Sequence, residues 1–157
     1  MIMSCGKEVL PVYIDFDVLV SVTKHALEGL PNEVIGFLLG NPYTWNGTTF
    51  VHITASIRGQ SVASETSVAF AQDSLADVAE SIKRHHPDKE IVGWYHSHPG
   101  YGCFLSPTDI TSHRSCFTMP YHVALVVDPV RKEAAFYRVA GGMDYEGLRS
   151  AIVRKRV

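Results

Sequence analysis

Two histidines and one aspartate fall at a spacing that can close on a single metal ion. His96 and His98 lie in Trp94-Tyr95-His96-Ser97-His98-Pro99, and Asp109 ends the segment Ser106-Pro107-Thr108-Asp109 that follows. Two imidazoles and one carboxylate leave a fourth position open, which is the arrangement of a catalytic zinc and not of a closed structural one. Local geometry allows the three to meet. Glu90-Ile91-Val92-Gly93-Trp94-Tyr95 reads as a strand, so His96 and His98 point to the same side. Pro99-Gly100-Tyr101-Gly102 must be a loop. Ser106 suits an N-cap, Pro107 the first helical position and Asp109 the acid three residues after the cap. A strand end and a helix start then face each other across a short glycine-rich loop. Ser-x-x-Asp alone is an ordinary capping motif, and paired histidines are common. The joint pattern, with Pro99 directly after the second histidine, is what singles out a metal site.

Hydrolysis of an amide at such a centre needs a group that takes a proton from water and returns it to the leaving amine. Glu33 is the best candidate. It stands at the mouth of Val34-Ile35-Gly36-Phe37-Leu38-Leu39, the most apolar run in the chain and, by its pattern, a buried central strand. Taken alone, Glu33 reads as a solvated carboxylate after Pro31. Beside three metal ligands it reads as the base.

Together these segments resemble the JAMM (MPN-plus) metalloproteases, and Gly93 to Ser106 is most similar to the branch found in the proteasome-lid deubiquitinase and the COP9 signalosome deneddylase. The resemblance runs from the helix near residue 16 to about Val139. It implies a single domain over residues 1–157, of α+β class, with a mixed, curved sheet flanked by helices and a cytidine-deaminase-like architecture. It implies one Zn2+ per chain held by His96, His98 and Asp109, with Glu33 as general base. It assigns Ser106 to the oxyanion of the tetrahedral intermediate, a type of contact worth about 3 kcal/mol of barrier. The bond cut would be the isopeptide or peptide bond after the C-terminal Gly-Gly of ubiquitin or a ubiquitin-like protein. The implied partners are such conjugates, with the proteasome or another protein assembly. Residues 58–67, polar and small, read as a flexible loop where the eukaryotic members carry their first insertion, which helps clamp the substrate tail. Ser61, Val62, Ala63 and Ser64 are the expected substrate contacts there, by strand addition to an extended tail.

The chain also departs from the larger relatives. Ala140-Gly141-Gly142 leaves little room for a second insertion, and no downstream His/Cys cluster offers a second, structural zinc. The expectation is a compact, stand-alone prokaryotic-type member or a cut-out catalytic domain, which puts partner-gated activation, known among the eukaryotic relatives, in doubt. Two other functions compete with the isopeptidase reading: a peptidase trimming the C-terminus of a small sulfur-carrier protein, and a non-catalytic scaffold or ubiquitin-binding module. The scaffold is disfavoured because all three ligands, the glutamate and the serine are in place.

Composition sets the outer bounds. A chain of 157 residues can bury a real core. A net charge of -2 gives no electrostatic case for nucleic acid or an anionic membrane. No apolar run has the length of a membrane span, and the first residues lack the layout of a signal peptide. Three cysteines suggest a reducing compartment, hence a cytoplasmic protein.

The positioning elements follow from periodicity. Val9–Ile14 reads as a strand, and the residues after Asp15 as a helix ending near Gly29. Phe50–Ala55 reads as a strand entered through an Asn46-Gly47 turn. Asp73–His86 reads as an amphipathic helix, Val123–Val127 and Ala134–Val139 as a strand pair, and 143–157 as a short terminal helix or tail. Cys103 reads as a packed thiol. His113, one turn after Asp109, reads as a helix-surface residue or a border of the site.

Overall fold

The computed structural model describes residues 8–59, 61–64, 67–70 and 72–156, with the backbone alone between 61 and 75. The chain runs β1 (Val12–Asp15), α1 (Phe16–Glu28), β2 (Ile35–Trp45), β3 (Thr48–Arg58), β4 (Ser61–Ser64), β5 (Ser67–Phe70) and α2 (Gln72–His85). It continues through β6 (Glu90–Ser97), α3 (Pro107–Cys116), β7 (Val123–Asp128), β8 (Glu133–Val139), β9 (Tyr145–Leu148) and β10 (Ser150–Val153).

Turn chemistry shapes the first half. Asn46 and Gly47 have φ of 48° and 75°, the left-handed pair that closes a two-residue hairpin with the twist of its strands. β2 and β3 consequently pair antiparallel along their length. Asp15 sits at the N-cap of α1 but makes no capping bond; its carboxylate lies 2.7 Å from His52 Nε2 on β3 instead.

Eight strands form one mixed sheet in the order β10-β1-β3-β2-β6-β7-β8-β9. β1 runs parallel to β3 and β10, and β6 parallel to β7. The two edge strands, β9 and β10, are separated in sequence by Arg149 alone, so the sheet curls until its edges nearly meet. Alternation along the strands feeds two cores. Leu38, Tyr95 and Leu125 join Val18, Val22 and Ala26 of α1 on one face. Phe37, Trp94 and Val126 join Val78 of α2 and Ile110 of α3 on the other. β6 and β7 are covered on both sides, which is why they read as continuous apolar runs. Among the described residues no helix is long and apolar enough to cross a membrane.

Two expectations are corrected. The expected terminal helix is a pair of strands: Leu148 pairs with Phe136 and Ser150 with Val12. Four-residue edge strands carry too short an alternation to be read, and the open edges of β8 and β1 decide their conformation. Within 58–67, expected to be a loop, β3 extends through Arg58 and Ser61–Ser64 pairs antiparallel with Ser67–Phe70. Small polar residues hid those strands. The side chains of Ser61, Val62, Ala63 and Ser64, the expected substrate contacts, lie outside the described set.

Strand packing leaves no slack at Gly93, which faces Val123 across the β6–β7 pair. A Cβ there would stand 2.1 Å from the Val123 carbonyl oxygen, a clash with backbone that rotamers cannot relieve. Gly93→Ala is expected to destabilise the fold by about 3 kcal/mol, the upper end for overpacking a tight core, read as a lower urea midpoint. An unchanged midpoint would show that β6 and β7 are less closely joined.

Candidate metal centre

Three chain segments meet at one end of β6. His96 and His98 come from the strand end, Asp109 from the first turn of α3, and Glu33 from the residues entering β2. His96 Nε2 lies 3.0 Å from His98 Nε2 and 3.1 Å from Asp109 Oδ2, and the third side of the triangle is 3.6 Å. Ligands bound at ordinary zinc distances in a tetrahedron stand about 3.3 Å apart. The observed sides straddle that value, so the three atoms fit one ion with little rearrangement. All three residues are buried, at 1%, 2% and 8% exposure, which sets the site apart from a chance surface cluster.

Surrounding bonds orient each ligand. His98 Nδ1 lies 3.0 Å from the Gly102 carbonyl oxygen. Donation by Nδ1–H to that oxygen leaves the Nε2 lone pair facing the centre. His96 is held by stacking, its ring 4.6 Å from that of Trp94 and nearly parallel to it, while its buried Nδ1 has no hydrogen-bond partner among the described residues. Asp109 and Ser106 form the expected capping box: Ser106 N–H donates to Asp109 Oδ2 at 2.8 Å, and Asp109 N–H to Ser106 Oγ at 3.1 Å. Burial works against the Asp109 charge, but the His96 and His98 rings and the Ser106 N–H outweigh it and hold the carboxyl well below its usual range. Because Ser106 Oγ serves the cap as an acceptor, its own proton stays available for donation.

Sequence reasoning overlooked two residues that place Glu33. Ser97, between the two histidines, is fully buried and bonds the segment entering β2 twice. Val34 N–H donates to Ser97 Oγ at 2.8 Å, and Ser97 N–H to the Val34 carbonyl at 3.1 Å. The signal was present in the alternation itself: a residue between two same-side ligands must face the other way. Tyr101 is the second. Its ring stacks 4.8 Å from that of His98, and its hydroxyl donates to Glu33 Oε1. Burial, with the Glu33 bond and charge, pushes the Tyr101 hydroxyl above its usual range and keeps it a donor.

Cys103 is a packed thiol, as expected. It is partly buried, its Sγ lies 3.5 Å from the Val126 carbonyl, and burial raises its pKa. His113 is not a surface residue. It is 4% exposed and accepts the Trp94 indole N–H on Nδ1 at 3.0 Å, so it braces the ring on which His96 stacks.

The family model described as JAB1/Mov34/MPN/PAD-1 ubiquitin protease matches residues 7–120. The chain belongs to this family. Within it, the chain is 37% identical over 124 residues to the 26S proteasome regulatory subunit RPN11 of Eremothecium gossypii, covering 76% of this chain and 38% of the relative. It is 36% identical over 124 residues to the ubiquitin carboxyl-terminal hydrolase RPN11 of Saccharomyces cerevisiae, covering 76% and 39%. It is 37% identical over 119 residues to a protein named NAD(+) hydrolase TcpA from a Theionarchaea archaeon, covering 70% and 34%. The chain therefore spans about two-fifths or less of the length of these relatives. A solution structure of a Desulfitobacterium hafniense protein superposes with a TM-score of 0.69 at 15% identity, covering 92% of this chain and 94% of the other. That likeness concerns the fold alone.

His113 has a consequence for pH. Burial, then the charge of His122, lowers its pKa from 6.5 to about 4. Between those values the unfolded chain holds a proton that the folded one does not. Stability therefore falls as pH drops through this window, by at most about 3 kcal/mol from this residue. Urea unfolding of the metal-free protein should show this slope between pH 6.5 and 4, and His113→Gln, which can still accept the indole N–H, should flatten it. An identical slope in the variant would reject the assignment.

Proposed function

We propose that the protein is a zinc-dependent hydrolase that cuts the isopeptide or peptide bond after the C-terminal Gly-Gly of ubiquitin or a ubiquitin-like protein. The observation that carries this reading is the closed triangle of His96 Nε2, His98 Nε2 and Asp109 Oδ2 beside Glu33, in a chain of the JAB family. Among the described residues this is the grouping that can hold a metal ion. When bound, Zn2+ supplies a Lewis acid and lowers the pKa of a water to about 7.

Chain residues do the rest. Glu33 takes the proton of the attacking water and delivers it to the leaving amine; with Oε1 held by Tyr101, its second oxygen is free for that transfer. The Ser106 hydroxyl donates to the oxygen that becomes negative as the carbonyl turns tetrahedral. Tyr101 and Phe104, at 46% and 39% exposure, flank His98 and receive the substrate backbone. The name of the Saccharomyces cerevisiae relative supports ubiquitin as the substrate class, and that of the Eremothecium gossypii relative, a proteasome regulatory subunit, supports a proteasome-like assembly as partner. The free thiols of Cys103 and Cys116 support a reducing compartment.

Metal analysis and turnover test the proposal together. The purified protein should carry about one zinc, and His98→Ala about none. Glu33→Gln should keep the metal and lose about 100-fold or more in kcat on a ubiquitin conjugate or on a C-terminally extended sulfur-carrier protein, the two substrates to be compared. Ser106→Ala should lower kcat by about 100-fold with the metal retained. A metal-free protein that stays so after reconstitution would overturn the reading, as would a Glu33→Gln variant with unchanged turnover.

A further inference from the structure

Asp128 ends β7 and is 1% exposed, the least exposed acidic residue among those described. It accepts four backbone N–H groups. Gly100 donates to Oδ1 at 2.9 Å, Val130 and Arg131 to Oδ1 at 3.0 Å each, and Gly102 to Oδ2 at 2.7 Å. Two donors belong to the loop after His98 and two to the turn after β7, so one carboxylate joins them. Burial would raise its pKa, but the N–H groups of Arg131, Gly102, Gly100 and Val130 outweigh that and hold it below the usual range.

Gly102 connects this carboxylate to the metal centre. Its N–H goes to Asp128 and its carbonyl to His98 Nδ1, on either side of one α-carbon. Gly100 and Gly102 have φ of 87° and 82°, a conformation that side chains disfavour and that the Asp128 bonds hold in place. The backbone of His98 is anchored separately, its N–H donating to the Val127 carbonyl at 2.8 Å, one residue before Asp128. What the strand does not fix is the rotation and tautomer of the imidazole. That task falls to the Gly102 carbonyl.

We propose that Asp128 is a positioning residue for the metal centre: by anchoring Gly102 it fixes the carbonyl that holds His98 as its Nδ1–H tautomer with Nε2 turned to the ion. The inference rests on reading His98 as a metal ligand. Its chemistry is specific to a carboxylate, because the two oxygens must accept from the loop and the turn at once. An asparagine of the same shape offers one accepting oxygen and one amide nitrogen.

The test uses Asp128→Asn with Val22→Ala, a truncation of a fully buried side chain on α1, as a comparator that destabilises the fold away from the loop. In the metal-free wild-type protein, imidazole nitrogen NMR should show His98 as the Nδ1–H tautomer, and the Gly100 and Gly102 amides should be protected from exchange. Asp128→Asn should mix the tautomers and weaken zinc binding about 10- to 100-fold. Val22→Ala should lower stability and leave both readouts unchanged. A wild-type His98 found as the Nε2–H tautomer overturns the proposal even if Asp128→Asn does not fold. So does wild-type zinc affinity in Asp128→Asn, or an equal loss of affinity in Val22→Ala. Should the wild type bind no zinc, the function fails, while the tautomer and exchange data still decide the link from Asp128 to His98.

Discussion

The metal centre depends on the period-two alternation at the end of β6. Along Trp94-Tyr95-His96-Ser97-His98, odd and even residues serve opposite faces of a strand buried on both. Trp94 packs beneath His96 on one face, and Tyr95 enters the other core. Ser97 turns the same way as Tyr95 and binds the segment that carries Glu33. The two histidines and the segment of Glu33 are thus placed by one strand reading in two directions, while Asp109 is brought by α3. A shift of one residue would exchange the faces, burying Ser97 among the ligands and removing both imidazoles. No partial displacement preserves the site, because the two cores and the centre share the same register.

Such a centre opposes stability. Three ionisable groups are packed together at low exposure, and removing a charge from water costs several kcal/mol unless it is paired and hydrogen-bonded. The chain offsets this locally. Asp109 occupies the first turn of α3, where the helix dipole favours an anion, and receives the Ser106 N–H. His113 remains neutral behind Trp94. The remaining imbalance at the site is the buried Nδ1 of His96, which has no partner among the described residues. A structural role alone gives no reason to gather these groups in a dry strand end. Binding an ion does, since metal affinity adds to folding free energy.

Much of this was legible in the sequence because the signals were local. The His96/His98 alternation, the Ser106-Pro107-Thr108-Asp109 cap and the Asn46-Gly47 turn each report on a few adjacent residues, and each stands in the structure as read. What escaped was set by distant neighbours. β9 and β10 are strands because β8 and β1 present open edges. His113 is buried because Trp94, nineteen positions earlier, gives it an indole N–H. Asp128 stands directly before Pro129, which is a local turn signal, and it does bond the turn residues Val130 and Arg131. Its second pair of donors comes from a loop more than twenty-five positions away, which no window on the sequence displays.

Chemistry and selection are carried by different parts of the molecule. His96, His98, Asp109, Ser97 and Asp128 are buried, and all but His96, which stacks on Trp94, are held by backbone groups. The groups around the mouth are of another kind. Tyr101, Phe104 and Val130 are large, apolar and exposed, and they are carried on the loop and turn that Asp128 joins. A surface of this sort can change its side chains while its backbone stays fixed. Side chains at the rim can therefore differ while the buried site beneath them keeps its geometry, since function lies in the site and not in the fold that carries it.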